Sequence, residues 1–311
     1  MLLRSVKMPA IAHQLNSGSM MDLTAEIERS VRRALTEDIG SGDLTTSLIP
    51  ADEIATATVI SRESAVLCGT EWFKACFLQL SPQTDVQWLA EDGETIRSGQ
   101  TLCEISGNAR TLLTGERTGL NFLQMLSGIA TQTRRYVEAV AGTGAAIADT
   151  RKTLPGLRLA QKYAVRCGGG TNHRLGLYDG ILIKENHILA AGGVEAVLRA
   201  AKKIAPPEVF IQIEVETLDD LRMVLNAGAA LVLLDNFNLD DLAEAVVLNA
   251  RLTNNGAVLE ASGGITLENV RAVAKTGVNR ISIGSLTKDI KATDLSMRFS
   301  SGPPQSREVS P

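Results

Sequence analysis

From Gly144 onward the chain alternates short runs of Val, Ile, Leu and Ala with amphipathic helical stretches, and this alternation restricts the fold more than any other feature. Strands are predicted at 145–150, 180–184, 209–216, 230–235, 257–262 and 280–285, with helices near 157–167, 194–204, 218–226, 239–252 and 267–275. Parallel strands need a crossover of a dozen or more residues between them, and a spacing of roughly 20–35 residues leaves room for one helix each. Strands this rich in branched apolar residues suit a sheet covered on both faces. An α/β barrel is the expected architecture and a doubly wound open sheet the runner-up. Six strands are visible, and a further one has room in the less regular joints. Thr217, three residues before Asp220, and Thr266, after Gly263-Gly264, are the expected helix N-caps.

The preceding region follows another rhythm. Residues 22–37 place Leu23, Ile27, Val31, Ala34 and Leu35 on one helical face, 54–66 alternate as a strand, and 72–80 read as a short helix. Two strands are expected within 86–105 and a long helix over 114–140. The expected division is therefore a leader or cloning remnant at 1–20, an N-terminal domain over 21–143, an α/β barrel domain over 144–297, and a flexible tail over 298–311. With 311 residues and 44% apolar content, two cores are within reach. No apolar run approaches the roughly 18–20 residues that cross a bilayer, and residues 1–20 lack the continuous apolar stretch of a signal peptide. Cys68, Cys76, Cys103 and Cys167 have no paired spacing and are expected as buried free thiols, as in a reducing cytoplasm. With only His13, His173 and His187 available, none at ligand spacing from a cysteine, a structural zinc site is not expected.

Charge is distributed unevenly. Between Asp149 and Lys184 stand Arg151, Lys152, Arg158, Lys162, Arg166, Arg174 and Lys184, against Asp179 alone, although the formal net charge of the whole chain is −4. A nucleic-acid binder would be basic over a whole face; cations gathered in an acidic chain suit a small, highly charged anion. Nearly every predicted strand also ends in polar groups: Asp149-Thr150-Arg151-Lys152, Lys184-Glu185-Asn186-His187, Glu214-Val215-Glu216, Asp235-Asn236, Glu260-Ala261-Ser262 and Gly284-Ser285. Parallel barrels assemble their active sites at that end. In the third strand Val209, Ile211, Ile213 and Val215 share the helix-facing side. Phe210, Gln212, Glu214 and Glu216 share the other, which directs two carboxylates inward. Arg158, Lys162 and Arg166, four residues apart, read either as a solvated helix face or with Lys162 on a phosphate. His187 reads equally as a structural histidine or a ligand contact.

The stretches Ala148-Asp-Thr-Arg-Lys-Thr-Leu-Pro-Gly-Leu-Arg158, Lys162-Tyr-Ala-Val-Arg-Cys-Gly-Gly-Gly-Thr-Asn-His-Arg-Leu-Gly176 and Ile183-Lys-Glu-Asn-His187 closely resemble the quinolinate phosphoribosyltransferases. The resemblance continues through residues 37–46, 116–121, 214–216, 233–237, 260–265 and 282–285, and so runs in order from about Leu23 to Met297. It implies an N-terminal α/β sandwich domain followed by an incomplete parallel α/β barrel of the type II phosphoribosyltransferase kind. It implies a cytoplasmic enzyme, at least dimeric, that joins quinolinate to 5-phosphoribosyl 1-pyrophosphate with Mg²⁺. The products are nicotinate mononucleotide, CO₂ and pyrophosphate. By the same resemblance Arg117, Arg151, His173 and Arg174 meet the quinolinate carboxylates, Arg117 reaching in from a neighbouring subunit. Lys152 and Lys184 face the phosphoribosyl donor with Thr150. Glu214 and Asp235 serve the ribose, directly or through the metal, with Glu216 behind them. Ser262, Gly263, Gly264, Gly284 and Ser285 offer backbone N–H groups to the 5′-phosphate. Magnesium held mainly by substrate phosphates needs no protein metal motif.

Other readings fit less well. A Schiff-base aldolase would use Lys184 or Lys152 but has no need of so many arginines. A non-catalytic nucleotide-binding module lacks its fingerprint, because Gly168-Gly169-Gly170 follows no strand and His173 stands where a glycine belongs. Within the superfamily, a nicotinate phosphoribosyltransferase or a molybdenum-transport-associated relative is the nearer alternative.

Overall fold

The computed structural model describes residues 23–301; the leader expected at 1–20, with His13, and most of the expected tail lie outside the described residues. Its elements are α1 (Leu23–Ile39), a 3₁₀ turn (Thr46–Leu48), β1 (Ile54–Ser61), β2 (Ala65–Val66), α2 (Thr70–Leu80), β3 (Asp85–Trp88), β4 (Thr95–Ile96), β5 (Thr101–Asn108), α3 (Ala109–Ala139), β6 (Ala146–Ala148), α4 (Arg158–Cys167), β7 (Gly180–Ile183), α5 (Glu185–Ala190), α6 (Val194–Ile204), β8 (Phe210–Val215), α7 (Leu218–Asn226), β9 (Leu231–Asp235), α8 (Leu239–Thr253), β10 (Val258–Ser262), α9 (Val270–Lys275), β11 (Arg280–Ser282), α10 (Ser285–Lys288) and β12 (Leu295–Ser301). They form two compact units. One comprises residues 23–132, Leu154–Gly169 and 289–301; the other comprises Thr133–Thr153 and Gly170–Lys288. A single cut at 143/144 was expected; instead the chain leaves the first unit and returns to it twice.

The first unit is an antiparallel sheet in the order β12-β1-β5-β3, with β2 and β4 paired separately. Alternate residues of β1, namely Ala55, Ala57, Val59 and Ser61, are buried, as one covered face requires. The segment 298–301, expected as tail, continues β12 and pairs with β1 from Ser301↔Ala55 to Leu295↔Ser61. A strand in the interior of a sheet needs partners on both sides, and β12 supplies the second for β1.

The other unit carries a six-stranded sheet in the order β6-β11-β10-β9-β8-β7, every pairing parallel. From β7 to β11 the strands follow one another in sequence, and β6 lies beside β11. A doubly wound sheet reverses direction at a switch point; this one steps round in a single sense, as a barrel does, and stays open between β6 and β7. Side chains prove the curvature. His173 follows Thr171, which bridges to β6, yet its Nε2 lies 2.7 Å from Oε1 of Gln212 on β8. Four strand intervals separate β6 from β8, roughly 19 Å if flat, so the sheet must curl. The segment around Thr171 stands where a seventh strand had room, and it supplies one bridge.

Burial explains the strand composition. Leu231, Val232, Leu233 and Leu234 of β9 are all buried, because helices cover one face and the barrel interior the other. Thr217 caps α7 as expected, its side chain accepting the Asp220 N–H. Thr266 does not cap α9. That helix begins at Val270, and the Asn269 side chain closes the preceding turn by accepting from Thr266 N (2.9 Å) and donating to Gly264 O (2.9 Å). No helix among the described residues is long and apolar enough to cross a membrane.

Candidate active site

The C-terminal ends of the curled strands bring several of the predicted residues together. Lys184 follows β7 with extended backbone (φ −120°, ψ 169°) and caps α5. Its Nζ lies 2.8 Å from both carboxylate oxygens of Glu214, near the end of the adjacent β8. Asp235 ends β9. Burial and the negative charge of Glu214 push its carboxyl above the usual range, while Lys184 and Lys152 pull it back. Lys152, Lys184, Glu214 and Asp235 are thus one electrostatic cluster.

Lys152 is positioned by neighbours from two other segments. Its N–H donates to Thr150 Oγ1 (3.0 Å), and its carbonyl accepts from Thr287 Oγ1 (2.7 Å). Its side chain crosses Gly284, where a Cβ would meet Lys152 Cδ at 3.0 Å and Thr150 Oγ1 at 3.6 Å. Thr150, expected among the substrate contacts, therefore braces Lys152 through its hydroxyl, and Gly284 leaves room for the lysine. Ser285 opens α10.

Arg174 is half-buried. Burial and the nearby Arg151 guanidinium lower its pKa, and Asp179 opposes them. Its Nη1 donates to Gly180 O (3.1 Å), and the Asp179 carboxylate accepts from Leu175 N (2.7 Å) and Gly176 N (2.8 Å), fixing the loop. Two guanidiniums held within each other's field in partial burial form a strong site for a carboxylate or phosphate.

His173 lies deeper, 7% exposed. Its Nδ1 accepts from Arg174 N (2.8 Å), so Nε2 carries the proton toward Gln212 Oε1. Gln212 Nε2 in turn donates to Glu260 Oε2 (3.1 Å), which also faces Arg280 Nη1 at 3.3 Å across paired strands. Burial alone would raise the Glu260 carboxyl, but Arg280 and His173 hold it below the usual range. Asp149, fully buried, accepts from His173 N (2.8 Å) and from Asn172 Nδ2 (2.6 Å). Both ring nitrogens of His173 are thus engaged inside the barrel. Arg280 and Thr287 were not singled out from the sequence; Asp149 and Glu260 were noted at strand ends and Gln212 on the inward face of the third strand, but none of the three was given a role.

Other expectations are relocated. Glu216 lies past the end of β8 and is exposed, because the strand stops at Val215. Ser262 ends β10 and Gly263 and Gly264 follow it, but five residues separate Gly264 from the start of α9, so they are not at a helix N-terminus. Gly263, at φ +97°, packs against Asn236, whose side chain and backbone nitrogen a Cβ would strike. His187 Nδ1 accepts the Lys184 N–H (3.0 Å), which gives it a capping role. Lys162 is fully buried on α4 and is no part of a solvated face. Arg117 lies in the N-terminal unit, where it was expected, exposed on α3.

Magnesium was expected. Among the described residues the group of three or more metal-ligating side chains is Cys68, Asp92 and Cys167, in the other unit. At this edge the hard oxygen donors are a pair, Glu214 and Asp235, and Glu214 is already engaged by Lys184. Such a pair fits a magnesium ion that arrives on phosphates and needs few protein ligands.

Comparison with known proteins places the geometry. The model of the quinolinate phosphoribosyl transferase N-terminal domain matches residues 43–127, and that of its C-terminal domain matches residues 129–298. The chain is 41% identical over 272 residues to the probable nicotinate-nucleotide pyrophosphorylase (carboxylating) of Bacillus subtilis, covering 88% of this chain and 93% of the relative. It is 43% identical over 275 residues to that of Mycobacterium leprae, covering 86% and 95%. The nicotinate-nucleotide pyrophosphorylase structure from Francisella tularensis superposes with a TM-score of 0.85 at 44% identity, covering 89% of this chain and 96% of that one. The human nicotinic acid phosphoribosyltransferase, at 14% identity and a TM-score of 0.57, shares the fold alone.

Proposed function

The chain belongs to the quinolinate phosphoribosyltransferase family, and on that premise we propose how its own residues divide the work of the reaction. The enzyme is a nicotinate-nucleotide pyrophosphorylase (carboxylating). It transfers phosphoribosyl from 5-phosphoribosyl 1-pyrophosphate to quinolinate, with loss of CO₂ and pyrophosphate, in the synthesis of NAD. Quinolinate is a dicarboxylate and its co-substrate carries a phosphate and a pyrophosphate, so charge must be neutralised before a bond can form. A unit charge pair at 4 Å is worth about 4 kcal/mol at an effective dielectric near 20. The pairing of Arg151 with half-buried Arg174 is the observation that carries the assignment: it suits the quinolinate carboxylates, and Lys152 and Lys184 suit the phosphoribosyl donor.

The pyridine nitrogen attacks C1 of the ribose as the bond to pyrophosphate breaks, and positive charge builds on the ring. Glu214 and Asp235 face that charge; Glu214 exchanges one of its contacts with Lys184 for ribose as substrate enters. Neutralising the leaving group is the chemistry a bound magnesium supplies. The ribosylated nitrogen is then cationic. Cleavage of the bond to the 2-carboxylate releases CO₂ and leaves its electron pair on C2 beside that cation, where a proton replaces it. The protein's part is to orient the carboxylate and exclude water. His173, turned inward, acts by fixing Arg174 through its Nδ1.

Arg117 of the partner subunit completes the site in a homodimer. Its exposure on α3, with the exposed apolar side chains of Leu177, Tyr178 and Leu189, supports that assembly. Four free cysteines support a cytoplasmic setting. The decisive assay is release of CO₂ and pyrophosphate from quinolinate plus 5-phosphoribosyl 1-pyrophosphate, with and without Mg²⁺. Turnover of nicotinate in place of quinolinate would refute the assignment.

A further inference from the structure

Away from the strand ends, the first unit holds a cluster for which the transfer reaction has no use. Cys68 lies between β2 and α2, Cys167 is the last residue of α4, and Asp92 sits in the turn before β4. Their two sulfurs and a carboxylate oxygen all lie within 4.8 Å of one another. The carboxylate is committed elsewhere: Oδ2 accepts from Gly69 N (3.1 Å) and from the Tyr163 hydroxyl (2.9 Å), and Oδ1 from Thr70 N (3.2 Å). That leaves the two sulfurs, within 4.8 Å of each other, as each other's neighbours. Cys68 is fully buried, its backbone N–H donating to Ser127 Oγ and its carbonyl accepting from it, whereas Cys167 is partly exposed. Closure would come from the Cys167 side, where three glycines follow the helix end.

We propose that Cys68 and Cys167 are a disulfide-forming pair, reopened by exchange with an external thiol, with the Cys167 sulfur as the entry point for hydrogen peroxide. The Cys167 thiolate attacks a peroxide oxygen, the O–O bond breaks, and the departing hydroxide takes up the thiol proton as water. Cys68 then displaces the remaining hydroxyl of the Cys167 sulfenic acid as a second water. Two thiols have lost two electrons and two protons, and the peroxide has become two waters. The asymmetry of the pair favours this order. Burial and the neighbouring Cys167 push the Cys68 thiol well up. The hydrogen bond from Cys68 outweighs burial and lowers Cys167, helped by Tyr163 and Arg166. Cys76 and Cys103, each pushed by burial to about 12, serve as internal controls.

The native enzyme is treated with a few equivalents of hydrogen peroxide, quenched, alkylated with N-ethylmaleimide under denaturing conditions, digested without reductant and mapped by mass spectrometry. A cross-linked Cys68–Cys167 peptide, about 2 Da lighter than its two parts and separated by dithiothreitol, is the expected product, with Cys76 and Cys103 alkylated. In Cys68→Ser, which lacks the resolving thiol, Cys167 accumulates sulfinic acid; in Cys167→Ser, Cys68 remains alkylatable. Mapping of the unmutated protein decides the matter even where a variant misfolds. The proposal is overturned by both thiols remaining alkylatable after peroxide, by sulfinic acid on Cys167 in the unmutated protein, by another pairing, or by a divalent ion that stays on the pair through desalting.

Discussion

Arg174 lies beside Arg151 in a half-buried loop, so removing it relieves repulsion in the empty enzyme and, under the proposed assignment, takes a guanidinium away from quinolinate. Charge-assisted contacts are worth about 1.5–3 kcal/mol each. Arg174→Ala is therefore expected to lower kcat/KM for quinolinate by about 100-fold or more and leave the thermal midpoint nearly unchanged; near-normal turnover would remove Arg174 from the site. Glu260 behaves in the opposite way. Its carboxylate sits against Arg280 in the barrel interior, and Glu260→Gln should cost about 3–5 kcal/mol of stability at neutral pH, because a buried guanidinium loses its partner. A depressed carboxyl pKa adds stability that is present above the unfolded value, about 4.3, and is lost as pH falls through the folded one. Urea midpoints at pH 7 and pH 4 should thus converge more in Glu260→Gln than in the parent protein. Equal pH sensitivity would separate Glu260 from acid unfolding.

At the level of elements, the strand ends are shaped by what approaches them. Gly263 allows the loop after β10 to lie on Asn236, and its φ of +97° is strained for any other residue. Gly263→Ala is expected to destabilise by about 1–3 kcal/mol and to raise KM for 5-phosphoribosyl 1-pyrophosphate, since Asn236 Nδ2 also donates to Asp235 at 3.0 Å. Isothermal titration and thermal melts would show both effects; a KM change confined to quinolinate would contradict the placement. The N-cap of α7 was evident in the sequence because Thr217 and Asp220 are local partners. The start of α9 was not, because Asn269 competes for the same turn.

For the whole molecule, the proposed completion of one subunit's site by Arg117 of the partner subunit has a quantitative consequence. Arg117→Ala and Arg174→Ala, each inactive alone, should recover about a quarter of normal activity when equal amounts are unfolded together and refolded. Random pairing makes about half of the dimers mixed, and each mixed dimer holds one intact site. No recovery in mixed dimers isolated by differential tags would mean that the two residues act within one chain.

Local sequence determined the strands, most helices and the residue types at the strand ends, because hydrophobic period and capping depend on neighbours a few positions apart. The motif around Arg151, Lys152, His173, Arg174 and Lys184 likewise marked the candidate site. Tertiary structure decided where each of these side chains sits and what it touches. It turned His173 inward onto Gln212 and Glu260 and gave Thr150 to Lys152. It also brought Cys68 to Cys167 across 99 positions of chain. Those outcomes arise from curling of the sheet and from the return of α4 to the first unit, contacts between residues distant in sequence that no local period encodes.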